Sequence, residues 1–255
     1  MLQYPFTLLD VIHEIYGVSI SSGNLKQCFL DAIGEFNVNY MGSKNQLSNF
    51  RGYRSGLTDY DGNIYPIVKI GNQIWTAENF KCKHFSSGIP ISYSTSPPAG
   101  SAKTYWYYND IDYYTNYGYK YGLLYNAGAI SDSTFAPSGW HIPSEAEFNT
   151  LISYLGGTSV ASGPLKSTTI GNGYWNSPNT GATNSAGFNA IAAGINAYAF
   201  DGSGYLNRNY TSEWWTSTII STNVRRTFQA IFNSSSLDIH SGYQMEGRSV
   251  RLIKD

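Results

Sequence analysis

The side chains best suited to gripping another molecule gather between about Ile195 and Glu246. INAYAFDGSGYLNRNYTSEWW carries Tyr198, Phe200, Tyr205, Asn207, Arg208 and Tyr210 on a glycine-punctuated stretch. It has neither helical nor strand periodicity, so these large side chains need a pocket or a partner. The following NVRRTFQAIFNSSSLDIHSGYQM reads as two strands around a serine-rich turn. With Leu237 and Ile239 inward, alternation turns Ser236, Asp238 and His240 outward. In the first of these strands Phe228, Ala230 and Phe232 share a face, and Arg226, Thr227 or Gln229 lies near the other face or at its edge. Arg225 and Arg226, side by side, suit a charged ligand or ordinary solubility. With Tyr243 added, this set is the expected ligand-binding site. Its chemistry is recognition: rings give flat apolar area, and Arg, Asp, Asn and His fix orientation by hydrogen bonds. A protein epitope or the apolar face of a sugar would fit.

Catalysis finds fewer footholds. Asp110, Asp112, Glu145, Glu147, Asp201 and Glu213 are available carboxylates, but no spacing singles out an acid and a base, and Glu145 and Glu147 suit a helix start. Cys82 and His84 could touch one metal ion, which would still need a third and fourth ligand. G-x-S-x-G, P-loop and H-E-x-x-H patterns are absent. Cys28 and Cys82 are the only cysteines and make no disulfide framework, so buried thiols are expected. No catalytic residue, cofactor or metal is expected, and the protein reads as a non-enzyme.

Composition agrees. Charged residues make up 13% of the 255 and the net charge is −1. That leaves no electrostatic footprint for nucleic acid or an anionic membrane. No apolar run is long enough for a membrane span. The opening MLQYPFTLLDVIHEIYG lacks a basic region, and Asp10, His13 and Glu14 interrupt it, so it does not read as a signal peptide. The expected route out of the cell is lysis, a particle, or a leader already removed. Gly, Ser, Asn, Thr and Tyr dominate, a vocabulary that antibody paratopes also use.

Two parts must position these residues. Residues 1–56 read as helical: Thr7 caps a helix with Leu8, Val11, Ile12 and Ile15 on one face, and Gly17 ends it. A second helix runs from near Ser22 with Leu25, Cys28, Phe29, Ala32, Ile33 and Phe36 as its apolar stripe. Such short helices need another surface, either a partner in an attachment or assembly module or the chain's own C-terminal domain. From 57 to 255 the texture is α+β. TDYDGNIYPIVKIGNQIWTAENF reads as strand, turn and strand around Asp61-Gly62-Asn63, with Ile64, Val68, Ile70, Ile74 and Trp75 apolar. SEAEFNTLISYLGG predicts a helix with a Ser144–Glu147 capping box, a buried face of Phe148, Leu151, Ile152 and Leu155, and a stop at Gly156-Gly157. Between Tyr105 and Tyr125 lie many of the 22 tyrosines. Most are expected inside the fold, with Tyr113, Tyr114 and Tyr117 nearest solvent. Trp75, Trp140, Trp175 and Trp215 are expected as core pins, and His141 as a structural histidine.

Four blocks, TDYDGNIYPIVKIGNQIWTAENFK, APSGWHIPSEAEFNTLISYLGG, YWNSPNTGATNSAGFNAIAAG and GRSVRLIKD, resemble in that order the Fibrobacter succinogenes major paralogous domain, from about Thr58 to Asp255. The resemblance implies a C-type lectin-like domain, distantly related to formylglycine-generating enzymes, whose C-terminal strands and loops display a variable ligand-binding face. Diversity-generating retroelements of gut Bacteroidetes and their phages rewrite many such faces. Formylglycine chemistry would need paired cysteines near the C-terminal part, whereas Cys28 lies outside the resemblance and Cys82 stands alone. The Glu-Pro-Asn and Trp-Asn-Asp signatures of calcium-dependent sugar binding are absent. YMGSKNQLSNFRGY is similar to short modules that precede such domains in Bacteroides phage proteins. The resemblance therefore implies a receptor-binding, host-recognition protein of the phage tail, carried in the virion. Its N-terminal module would dock on other tail proteins as a homo-oligomer such as a trimer, and its target would be a host cell-surface protein or glycan. The alternatives are a bacterial cell-surface adhesin and a glycan-degrading enzyme.

Overall fold

Asp59 organises the first turn of the domain: its carboxylate accepts the Asn63 backbone N–H at 2.9 Å and the Tyr65 hydroxyl at 2.5 Å. The turn joins β1 (Gly56–Thr58) to β2 (Ile64–Ile70), with Leu57 opposite Tyr65. Gly71, at φ 59°, then reverses the chain into β3 (Gln73–Thr76), and Val68 faces Trp75. This is the strand, turn and strand read from the sequence. The computed structural model describes residues 56–94, 102–107, 121–171, 174–197 and 204–255. The helices expected within residues 1–56, and Tyr113, Tyr114, Tyr117, Tyr198 and Phe200, lie outside the described residues.

Next come β4 (Ser92–Tyr93), β5 (Thr104–Trp106) and β6 (Leu124–Tyr125), then the short helix α1 (Ala127–Ile130) and β7 (Trp140–His141). Helix α2 (Glu145–Tyr154) carries the predicted capping box, with the Ser144 N–H donating to Glu147 Oε2 at 2.7 Å. Phe148, Leu151 and Ile152 are its buried residues and Leu155 is half-buried. After α3 (Ser162–Leu165) follow β8 (Ile195–Asn196), β9 (Tyr205–Leu206), β10 (Thr211–Ser221), β11 (Val224–Ile231), β12 (Leu237–Tyr243) and β13 (Ile253–Lys254). The result is mostly sheet with few helices, an α+β arrangement.

Among the described strands there are four sheets, ordered β1-β2-β3-β13-β7, β10-β11-β12, β4-β5-β6 and β8-β9. The chain's last strand is thus an inner one, with Ile253 facing Trp75 on one side and His141 on the other. That explains the apolar closing block.

Strand β10 divides two cores. Adjacent strand residues point to opposite faces, so Trp214 enters one core with Trp75, Phe148, Trp175, Phe188 and Phe228. Trp215 enters the other with Tyr65, Phe80, Tyr125 and Phe135. Tyr105, Tyr107, Tyr121 and Tyr125 are all buried, and the Tyr125 hydroxyl donates to the Cys82 carbonyl at 2.7 Å. The described mid-chain tyrosines are therefore framework, as expected. Trp75, Trp175 and Trp215 are fully buried, whereas Trp140 is only partly so.

Two buried cations are held by carbonyl and amide oxygens. Lys166 Nζ donates to the carbonyls of Thr180, Ile231 and Ser234 at 2.8, 3.0 and 2.8 Å, which pins the serine-rich turn after β11. Burial pushes its pKa down to about 8. Arg251 donates to Asn79 Oδ1 at 2.7 Å and to the carbonyls of Thr76 and Phe188, and burial lowers its pKa to about 9.

Candidate recognition face

The sheet β10-β11-β12 contains the region that the sequence marks for recognition, and its register decides which side chains can be reached. Trp214 faces Phe228, Phe228 faces Ile239, and Ala230 faces Leu237, so these share one side. That side packs on α2, where Phe148 stacks on Phe228 at 4.4 Å. The opposite side carries Glu213, Trp215, Thr227, Gln229, Asp238 and His240. Accessibility on that side rises outward across the strands. Glu213, Trp215 and Thr227 are buried, Gln229 and Asp238 are half-buried, and His240 is exposed.

A charged network underlies this side. Arg248 Nε donates to Glu213 Oε2 at 2.9 Å and Arg248 Nη1 to Glu246 Oε2 at 2.6 Å, and all three side chains are buried. The guanidinium lies 4.8 Å from the centre of the Trp215 ring, and Gln229 Nε2 donates to Glu213 Oε1 at 2.6 Å. Gly242 lets β12 lie close over this layer: a Cβ there would stand 2.5 Å from both Arg248 Nη1 and Trp215 Cζ3. Burying two carboxylates against one guanidinium is acceptable only with this complete set of hydrogen bonds.

The family model of the Fibrobacter succinogenes major domain matches residues 68–254. The chain belongs to this family. No curated protein and no solved structure matches it. In this Fibrobacter succinogenes major domain the matched span runs from within β2 to β13 and includes most of both cores and the whole β10-β11-β12 sheet.

The sheet sorts the expected site residues into three groups. Tyr210, 48% exposed, makes an edge contact with Phe232 at 5.2 Å near the start of β10. Asn207 beside it adopts φ 63°, and Tyr205 and Arg208 are half-buried. Tyr205 belongs to a strand, opposite Asn196, so the stretch read as irregular contains a short hairpin. Along β12 stand Asp238, His240 and Tyr243, the last 46% exposed. Strand β11 runs alongside for about 23 Å, so the whole set is a rim rather than a pocket. The third group is half-buried and engaged within the chain. Arg225 donates to the Ser217 carbonyl and to Ser131 Oγ, both at 2.7 Å, and burial lowers its pKa. Arg226 donates to Glu145 of α2 at 3.1 Å, so it lies on the helix side with Phe228. The Ser236 N–H donates to Ser234 Oγ at 3.0 Å within the turn.

Ile239 corrects one expectation. It shares a side with Leu237, as alternation requires, yet is 42% exposed because α2 covers Phe228 and not the outer strand. Sequence reasoning gave no recognition-site role to Glu213, Glu246 and Arg248. The spacing of Glu246 and Arg248, which puts both on one side of an extended segment, was the available signal.

Groups that resemble catalytic machinery are otherwise engaged. His141 bonds Asp255 through Nδ1 at 2.6 Å and Glu147 through Nε2 at 2.8 Å, while Ser144 Oγ donates to Glu147 at 2.8 Å. Burial alone would lower the His141 pKa, but those two hydrogen bonds outweigh it and raise the value. Cys82 is buried, which pushes its thiol up to about 12, and His84 Nδ1 meets Asp61 at 2.5 Å. No group of three or more His, Cys, Asp or Glu side chains able to hold a metal occurs among the described residues.

Proposed function

We propose that this protein is a non-enzymatic recognition module, the receptor-binding component of a phage tail, built on a C-type lectin-like domain. One observation carries this reading. Asp238 and His240 project from the outer strand with no hydrogen bond or ion pair to their side chains among the described residues. The rings of Tyr210, just before β10, and Tyr243, at the end of β12, are also partly exposed. Buried charged groups of the same domain are instead held in hydrogen-bond networks, including Glu213–Arg248–Glu246 and Lys166. Polar and aromatic groups left outward on a braced sheet suit contact with a host cell-surface protein or glycan. The N-terminal residues would dock to other virion proteins and multiply weak contacts as a homo-oligomer, where avidity adds about 10² to 10⁴.

The family's association with gut Bacteroidetes phages supports a diversified binding rim on this chain. Sequencing the DNA around the gene tests that. The expected finding is tail genes, a reverse-transcriptase gene and a near-copy of the segment coding for the final quarter of the chain. That copy should differ mainly at adenines. A lipoprotein leader joined to this reading frame, with no tail genes nearby, would instead make it a cell-surface adhesin. Release of reducing sugar from a glycan panel would overturn the non-enzymatic reading.

A further inference from the structure

The outer edge of β12 is open in its middle. Three hydrogen bonds fix which way its backbone groups face. The N–H of Leu237 donates to the Thr158 carbonyl at 2.9 Å and that of Tyr243 to Glu246 Oε2 at 2.7 Å, both away from β11. The Gln244 N–H donates inward to Asn223 at 2.8 Å. Backbone directions alternate along an antiparallel strand, so Asp238, His240 and Gly242 bond β11. Ile239 and Ser241 turn their N–H and C=O groups outward, and β12 is the terminal strand of its sheet. Among the described residues nothing bonds these four outward groups. Thr158 closes one end of the gap and Glu246 the other.

We propose that this edge takes up an extended peptide strand of a partner protein, with a Lys or Arg beside Asp238 and an apolar residue beside Ile239. The four backbone groups would set register, and alternate side chains would set selectivity. Directly opposite side chains lie about 5 Å apart, so an incoming ammonium or guanidinium reaches the Asp238 carboxylate, which has no cation of its own among the described residues. Ile239, on the other side, supplies exposed apolar area. A glycan has no N–H and C=O repeat at strand spacing to match this edge. A second copy fits less well. The antiparallel pairing that best avoids Thr158 centres on His240 and sets Asp238 against Gly242, which offers no charge.

This inference rests on the recognition reading and names its partner chemistry. The full chain is screened on an array of short random peptides, and the best binder is then followed by amide hydrogen exchange. The expected binders alternate apolar and basic residues, and the Ile239 and Ser241 amides slow by about tenfold or more. Asp238→Lys weakens binding by about tenfold or more. Ser241→Pro, which removes an outward N–H and no bond to β11, abolishes it. If Ser241→Pro does not fold, Asp238→Lys and the exchange pattern still decide. Acidic binders, no peptide binder, or binding indifferent to Asp238→Lys overturns the peptide edge. A dimer dissolved by Ser241→Pro also overturns it and assigns the edge to a second copy. The recognition reading fails separately, when neither cells, glycans nor peptides bind.

Discussion

Replacing Arg248 by Met tests the buried network under the recognition face. The side chain is 5% exposed, with Nε 2.9 Å and Nη1 2.6 Å from the carboxylates of Glu213 and Glu246, which are equally buried. Met keeps the apolar stem and removes the charge, leaving two buried carboxylates without a cation and Trp215 without its guanidinium. Breaking a buried pair in this way costs about 3–5 kcal/mol. In a domain of this size each kcal/mol shifts Tm by about 2–4 °C, so Tm should fall by about 6–20 °C. Urea and thermal unfolding at neutral pH, followed by tryptophan fluorescence, measure it. Adding Glu213→Gln and Glu246→Gln removes the stranded charges and should restore much of the loss. The reasoning is refuted if Arg248→Met lies within about 1 kcal/mol of the wild type, or if the triple variant is no more stable than the single one.

Three further outcomes are expected. Gly242→Ala places a Cβ against Trp215 and Arg248, both held by other contacts, and should cost about 1–3 kcal/mol in urea unfolding. Ser144→Ala removes the side-chain half of the α2 capping box and should cost about 1 kcal/mol by the same assay. His141 has a raised folded-state pKa, so its stabilising contribution is full below its unfolded value of about 6.5 and is lost as pH rises through the folded value. The stability difference between wild type and His141→Gln should therefore shrink as pH rises above about 6.5, and a constant difference would contradict the sign.

Local signals were legible because local physics sets them. The Asp61-Gly62-Asn63 turn, the Ser144 capping box and the buried face of Phe148, Leu151 and Ile152 each follow from neighbours in sequence. The expected burial of the aromatic framework also holds for Tyr105, Tyr125, Trp75 and Trp215. What the residues did not disclose depends on contacts distant along the chain. Arg225 and Arg226 look alike in sequence, but Ser131 and Ser217 hold one while Glu145 holds the other. Lys166 gives no sign that it will end beneath three carbonyls from two other segments. Ile239 alternates correctly, yet its exposure depends on where α2 stops covering the sheet.

Binding of the full chain to intact gut-bacterial cells tests the central claim most directly, with wild type compared against a variant carrying Tyr210→Ala, His240→Ala and Tyr243→Ala. All three side chains are exposed, so the unfolding midpoint should stay close to that of the wild type. The account predicts that wild type is retained on some strain and that the variant loses about tenfold or more in apparent affinity there. Equal retention of the two proteins, or retention of neither on any strain, would contradict it.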